Sequence, residues 1–191
     1  MKRIFWLSGV IFLAGCSQFA SEEQQATAEV TQQCLGNTTL PPRLANQFYQ
    51  VTDPALLAES KGTPDQGKLC QGAVYQAKPK TQVVIYRAWN STNPNSKLGQ
   101  WWSFSEPSGP IALYRKNNQI CYQWSPLDKL VRCTIKPGAK IVVGNGQSAQ
   151  CSQYLSYPVS ATQQVYLSDA DGSVKDCDTY TGVISWDKEV H

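Results

Sequence analysis

The chain has 191 residues, of which 41% are hydrophobic and 16% are charged, and its formal net charge is +3. This length is enough for one domain with its own core. The small net charge provides no basic field of the kind that attracts nucleic acid, and no apolar run reaches the ~20 residues of a membrane-spanning helix.

The N-terminus predicts export. Two basic residues precede an apolar run over residues 4–13, which is typical of a signal peptide and too short for a membrane span. Residues 13–16 read LAGC and resemble the lipobox of bacterial lipoproteins. The resemblance implies a cleaved signal peptide over residues 1–15 and acylation of Cys16. The alternative is an ordinary signal peptide in which Cys16 is incidental.

Acyl chains on Cys16 would make the membrane a partner, because two or more chains hold a protein stably on a bilayer. Ser17 follows the cysteine, and similarity to enterobacterial sorting signals then favours the outer membrane. Residues 17–33 are polar and contain neither Gly nor Pro. We therefore predict a lipid-anchored flexible tether over residues 16–33 and a single globular domain over residues 34–191.

Six cysteines remain once Cys16 is set aside, and an even number in an exported chain predicts a disulfide framework. Many pairings are possible. A predicted hairpin over residues 122–132 favours pairing between sequence neighbours, which gives Cys34–Cys70, Cys121–Cys133 and Cys151–Cys177. A zinc site is the competing use, but the chain has no C-x-x-C pair and its one histidine is His191.

The elements in chain order predict an α+β fold in which β structure dominates. Asp53 as N-cap and Pro54 at the first helical position predict a short N-terminal helix that ends before Gly62. Beyond Gly72, short runs rich in β-branched and aromatic residues predict antiparallel strands in a split β-core stapled by three disulfides. These runs are residues 74–76, 82–89, 101–104, 111–114, 119–124, 130–135, 140–143, 164–167 and 180–186.

The chain lacks residues that several common catalytic systems need. With its one histidine at position 191, the chain has no evident base for a Ser-His or Cys-His nucleophile. No Gly-rich phosphate loop is present. The acidic residues between Trp101 and Cys151 are Glu106 and Asp128, both in Pro-containing turns, so paired carboxylates for sugar hydrolysis are not expected.

One ordered set of segments points to a nucleotide site. Arg87 lies near the end of a predicted strand, a second strand carries Trp101-Trp102-Ser103, and Gln150 and a Gln-Val-Tyr strand at residues 164–166 follow. This order resembles the ADP-ribosyltransferase-like fold, including its NAD-glycohydrolase branches. The resemblance implies NAD as a possible cofactor, with its phosphate held by Arg87.

The same resemblance assigns roles to the other segments. Trp101 or Trp102 would stack against the nicotinamide, Ser103 would support its pocket, and Gln150 (or Gln153) would hold the ribose hydroxyls. The transferases normally have Glu at this last position. A carboxylate stabilises the oxocarbenium-like charge that develops as nicotinamide leaves, whereas an amide only positions the sugar, so an enzyme and a pseudoenzyme both remain possible.

Simpler interpretations exist for these residues. Arg87 as an exposed strand residue, or paired with Asp128 or Glu106, is one of them, and a polar loop at residues 147–153 that presents Cys151 is another. Two function classes follow. The first is an outer-membrane lipoprotein whose non-catalytic domain binds an envelope protein or a glycan; the absent Glu and the scarcity of NAD outside the cytoplasm favour it. The second is an NAD-binding enzyme or pseudoenzyme.

Overall fold

A computed structural model of the chain describes residues 33–189. The predicted signal peptide, Cys16 and the tether up to residue 32 lie outside the described residues. Within residues 33–189, no helix combines the length and the apolar character that crossing a bilayer would require.

The described part of the chain is α+β and β-dominant, as the sequence predicts. The α-helices are α1 Pro54–Ser60, α2 Ile111–Asn117 and α3 Ala170–Ser173. The strands are β1 Phe48–Gln50, β2 Leu69–Ala77, β3 Val84–Trp89, β4 Trp101–Trp102, β5 Lys129–Ile135, β6 Lys140–Gly146, β7 Ala149–Ser152, β8 Leu155–Tyr157, β9 Gln163–Tyr166, β10 Val174–Thr181 and β11 Asp187–Lys188.

These strands form three antiparallel sheets. A five-stranded sheet has the order β1-β2-β6-β9-β4, a four-stranded sheet has the order β11-β10-β5-β3, and β7 pairs with β8. The two larger sheets meet where Tyr86 of β3 pairs with Ser103, the residue after β4. The Tyr86 N–H donates to the Ser103 oxygen at 2.9 Å, and the Ser103 N–H donates to the Tyr86 oxygen at 2.8 Å.

The main core draws on both larger sheets. Ile85 and Val131 of the four-stranded sheet pack in one cluster with Val143 and Val165 of the five-stranded sheet, and all four are fully buried. Burial of such side chains is the main favourable term in folding. A second cluster covers another part of the five-stranded sheet, where Leu56 brings α1 against Leu69, Val74, Val142 and Tyr166.

Helix α1 forms where the sequence predicts it. The Asp53 carboxylate accepts a hydrogen bond from the Leu56 N–H at 3.1 Å, and Pro54 occupies the first helical position. These are the two signals on which the prediction was based. The backbone becomes extended at Lys61, one residue beyond the helix.

Helix α2 replaces the strand predicted at residues 111–114. Leu113, Arg115 and Lys116 are good helix formers. The two cations lie in the last turn, where their charges interact favourably with the negative end of the helix dipole. The predicted strand at residues 119–124 is wrong as well. The chain there turns, with φ of +49° at Gln119. Short apolar runs do not distinguish strand from helix, which explains both errors.

The structure confirms one predicted disulfide, Cys34–Cys70, with a Cα–Cα distance of 5.6 Å. The predicted pairs Cys121–Cys133 and Cys151–Cys177 are wrong. The bonds that form are Cys121–Cys151 and Cys133–Cys177, with Cα–Cα distances of 5.3 and 4.2 Å.

The physical reason is the missing hairpin. The predicted pairing of Cys121 with Cys133 needs a strand at residues 119–124, but Cys121 lies in the turn after α2. Cys133 lies inside β5, opposite Ile85 of β3. The other neighbour of β5 is β10, whose pairing shifts register between Lys175 and Asp178, and this irregular stretch carries Cys177.

Candidate functional site

A cavity of about 230 Å³ lies where the two larger sheets meet. Its walls come from β3, β4 and the loop between them, from α2 with the segment that follows it, and from β9. Among the described residues that line it, none is Asp or Glu, and two are cations, Arg87 and Lys68. The lining aromatic residues are Trp89, Trp101, Trp102, Trp124, Tyr86 and Tyr114.

Arg87 lines the cavity from β3. Its Nε donates to the backbone oxygen of Ser96, and its Nη1 donates to that of Trp101, both at 2.8 Å. A guanidinium has five N–H groups. Three of them therefore have no protein acceptor within residues 33–189.

The charge of Arg87 has no acidic partner in the described part of the chain. Neither Asp128 nor Glu106, the alternative partners that the sequence offers, forms an ion pair with it. The Asp128 carboxylate accepts hydrogen bonds from the backbone N–H and the hydroxyl of Ser91 instead. Burial lowers the pKa of Arg87 to about 10. This value is still well above 7, so the guanidinium is charged at neutral pH.

The absence of a side chain at Gly99 leaves room for the Arg87 guanidinium. A Cβ at this position would lie 2.4 Å from Nη2 and 2.7 Å from Cζ of Arg87. The Gly99 carbonyl also accepts the indole N–H of Trp102 at 2.7 Å. Through Gly99, the loop between β3 and β4 therefore packs closely against the Arg87 guanidinium and accepts a hydrogen bond from Trp102 of β4.

Trp101 is held by a chain of contacts that begins on α1. Its ring is half-buried and packs on the Tyr166 ring, with 4.8 Å between the ring centroids. The Tyr166 hydroxyl donates to Glu59 Oε1 at 2.6 Å and accepts from Gln100 Nε2 at 2.9 Å. Burial, followed by the hydrogen bond to Glu59, raises the pKa of Tyr166. These contacts hold the Trp101 ring in place in the cavity wall.

Trp89 contributes an unpaired donor. Its side chain is 8% exposed, and Nε1 is the one buried side-chain N or O atom within residues 33–189 that has no hydrogen-bond partner. Trp89 lies two residues after Arg87 on β3, so both side chains project from the same face of the strand. An unpaired buried donor is costly for a fold, and this one belongs to a residue that lines the cavity.

The opposite wall is built from α2 and residues 118–127. Burial raises the pKa of Tyr114 to about 12, so its phenol is neutral beside the Arg87 charge. Arg115 donates to the Ser125 carbonyl at 2.7 Å, which folds the segment back on the helix. The Cys121–Cys151 disulfide then ties this wall to β7.

The structure brings together three of the five residues that the sequence suggests for a nucleotide site. Arg87, Trp101 and Trp102 line the same cavity. Ser103 and Gln150 are not among its lining residues. The Ser103 hydroxyl accepts from the Ser105 N–H at 3.0 Å, and the exposed side chain of Gln150 donates to the Ser152 carbonyl.

The remaining lining residues were not anticipated from the sequence. Trp89 could have been found, because it follows Arg87 at the spacing of one strand face. Tyr114 and Trp124 could not, because residues 111–114 and 119–124 were predicted as strands. Comparison of the chain with known protein families, curated proteins and solved structures found no match.

Proposed function

We propose that this chain is an outer-membrane lipoprotein, anchored through Cys16, whose globular domain binds a small ligand in the Arg87 cavity and does no chemistry on it. The observation that supports binding is the composition of the cavity. It holds four of the five tryptophans of residues 33–189, together with two cations and no Asp or Glu. Small-molecule sites are typically apolar and aromatic with a few convergent polar groups.

The absence of a reacting group among the lining residues favours binding over catalysis. General acid and base catalysis needs a titratable group with a pKa near the working pH. The titratable groups that line the cavity are Lys68, Arg87, Tyr86 and Tyr114. Of these, Arg87 and Tyr114 have pKa values of about 10 and 12, far from neutrality.

The size of the cavity bounds the ligand. A volume of about 230 Å³ lies below the ~300–1,000 Å³ of sites for drug-sized ligands. One ring with a short polar substituent fits that space. The ligand can be a free small molecule or a terminal group of an envelope glycan or protein, which are the partner classes that the sequence suggests.

An NAD-binding pseudoenzyme is the second candidate. It is favoured by Arg87, Trp101 and Trp102, which line one cavity as the resemblance to ADP-ribosyltransferases implies. The positions of Ser103 and Gln150 speak against catalysis, and the cavity volume allows one ring of the dinucleotide rather than the whole of it. A nucleotide at this site would place its nicotinamide ring inside and its phosphates at the rim.

Fluorescence of the cavity tryptophans tests the proposed function. The lipidated chain in detergent would be titrated with a panel of small aromatic acids, amides, sugars and NAD. We expect at least one compound to quench the wild type and the Trp186→Phe variant, and to bind Trp101→Phe several-fold more weakly. Trp186 is the matched control because it is half-buried like Trp101 but does not line the cavity.

Two results would contradict the proposal. One is a panel in which no compound changes the fluorescence. The other is a compound that binds Trp101→Phe as tightly as the wild type, since its site would then lie elsewhere on the domain.

A further inference from the structure

We propose that the ligand of the Arg87 cavity is a small planar aromatic carboxylate, with its carboxylate on the Arg87 guanidinium and its ring between the tryptophans. This inference rests on the proposed function, which requires only that the cavity binds a small ligand. It adds the charge, the shape and the orientation of that ligand.

The hydrogen-bonding groups specify an acceptor. Three N–H groups of Arg87 have no protein partner in the described part of the chain, so the guanidinium can still donate to a ligand. An ionised carboxylate offers about four acceptor positions and no donor. An amide brings donors of its own, and these would oppose the donors on β3.

The charges specify an anion. The cation of Arg87 has no carboxylate within ion-pair distance among residues 33–189, and no Asp or Glu lines the cavity. Lys68 adds a second positive charge, and its ammonium donates to the backbone oxygen of Glu59 at 3.1 Å. A charged group placed in a site of this kind is stabilised by charge-assisted hydrogen bonds that a neutral isostere cannot form.

The aromatic walls specify a flat ring. Trp101 lies half-buried over Tyr166, while Trp124 lines the cavity and still exposes 53% of its surface. Trp124 therefore belongs both to the cavity and to the outer surface, which places it at the mouth. Offset or edge-to-face ring pairs add ~0.5–1.5 kcal/mol to the burial of area alone, so a planar ring gains more here than an aliphatic chain of equal size.

Two pairs of near-isosteric probes test the inference on the lipidated wild-type chain in detergent. They are benzoate with benzamide, and nicotinate with nicotinamide, and each pair differs in charge but hardly in shape. We expect each acid to bind at least about tenfold more tightly than its amide, as the loss of hydrogen bonds to a charged group predicts. Arg87→Met is expected to remove this preference.

The outcomes separate the inference from the proposed function. Amides that bind as tightly as the acids, with the Trp101 dependence intact, would overturn the inference and leave the binding site in place. A preference for nicotinamide over nicotinate would overturn it in favour of the NAD candidate. Failure of all four probes to change the fluorescence would overturn the inference, and the broader panel then decides the proposed function on its own. Because the acid and amide pairs are compared on the wild type, the test does not depend on the folding of the variants.

Discussion

At the residue scale, the most unusual feature of the domain is a half-buried cation without an acid. Removing a guanidinium from water is costly, and this loss of solvent lowers the pKa of Arg87. Two backbone carbonyls, those of Ser96 and Trp101, offset part of that cost. Ser96 lies in the segment that joins β3 to β4 and Trp101 is the first residue of β4, so Arg87 links this segment and the strand as well as presenting its charge to the cavity.

The close approach of Gly99 to Arg87 leads to the first prediction. The backbone of Gly99 is outside the left-handed region, so alanine is compatible with its conformation. Its Cβ would nevertheless lie 2.4 Å from Nη2, and the guanidinium must leave its carbonyl acceptors to make room. We expect Gly99→Ala to lower the free energy of unfolding by ~1–3 kcal/mol, measured by urea denaturation.

A double-mutant cycle isolates the cause. In an Arg87→Ala background there is no guanidinium to displace, so Gly99→Ala should cost little, and the coupling energy should reach ~1 kcal/mol or more. If the two substitutions are simply additive, the closeness of Gly99 to Arg87 carries no energy and the prediction is wrong.

At the element scale, the sequence was informative where runs of β-branched and aromatic residues form strands. The β-branched and aromatic runs that became β3, β5, β6 and β9 were predicted within a few residues, because their buried side chains also favour extended backbone. Of β2, only residues 74–76 were predicted. Helix α2 was missed because its four apolar or small residues fit either periodicity. The interactions of this helix with Arg87 and with residues 121–125 are tertiary, so no local pattern reveals them.

The same limit determined which residues of the candidate site could be predicted from the sequence. Arg87 and the Trp101-Trp102 pair could be singled out from the sequence because they lie on strands that it predicts. Trp124 and Tyr114 come from the segment that it predicts wrongly. Gln150 failed for another reason: β7 forms a separate hairpin with β8, and no local pattern reveals which sheet a short strand joins.

Helix α1 leads to the second prediction, which concerns pH. The ammonium of Lys140, 2.8 Å from Asp53 Oδ2, and then the Leu56 N–H lower the pKa of Asp53 below its usual 3.8. A carboxyl with a lowered pKa stabilises the fold above its unfolded pKa, and this contribution disappears as the pH falls through the folded value. Asp53→Asn keeps an N-cap but has no charge to titrate.

We therefore expect Asp53→Asn to be less stable than the wild type at pH 6 and to approach it as the pH falls below 3.8. The measurement is the urea midpoint as a function of pH for both proteins. Lys140→Met is the control, and it should reduce the same pH-dependent difference by removing the partner. A gap between wild type and Asp53→Asn that stays constant down to pH 2 would contradict the argument.

At the scale of the whole molecule, the disulfides divide between general stability and the site. Cys34–Cys70 and Cys121–Cys151 close segments of similar separation, 36 and 30 residues. Loop-closure entropy therefore predicts similar losses, ~2–4 kcal/mol, when either pair is replaced by serine. Cys121, however, lies in the wall that α2 and residues 118–127 give to the cavity, and Cys34 does not.

The third prediction follows from that difference. We expect the Cys121→Ser/Cys151→Ser variant to bind the cavity ligand several-fold more weakly, while Cys34→Ser/Cys70→Ser binds it normally at a temperature where both are folded. Mass mapping after non-reducing digestion should recover the linked peptides Cys121–Cys151 and Cys133–Cys177. Recovery of Cys121–Cys133 instead, or equal loss of binding in both variants, would contradict this assignment.

The fourth prediction concerns the proposed anchor, which sets where the cavity works. Two or more acyl chains bind a bilayer stably, whereas the net charge left after removal of residues 1–15 is only +1 and provides no electrostatic substitute. We expect the wild type to enter the detergent phase on phase separation and to incorporate labelled palmitate. Cys16→Ser should do neither, while its domain still binds the cavity ligand, because no residue of the cavity lies near position 16 in the sequence.

A second substitution separates anchoring from sorting. Ser17→Asp keeps the lipidated cysteine, so the protein should remain in the detergent phase but move from outer to inner membrane fractions if enterobacterial sorting applies. Cys16→Ser protein that still sediments with membranes after a high-salt wash would contradict the lipid anchor. The exposed aromatic residues Tyr122, Trp124 and Tyr154 of the described domain would then be the first to test as another attachment.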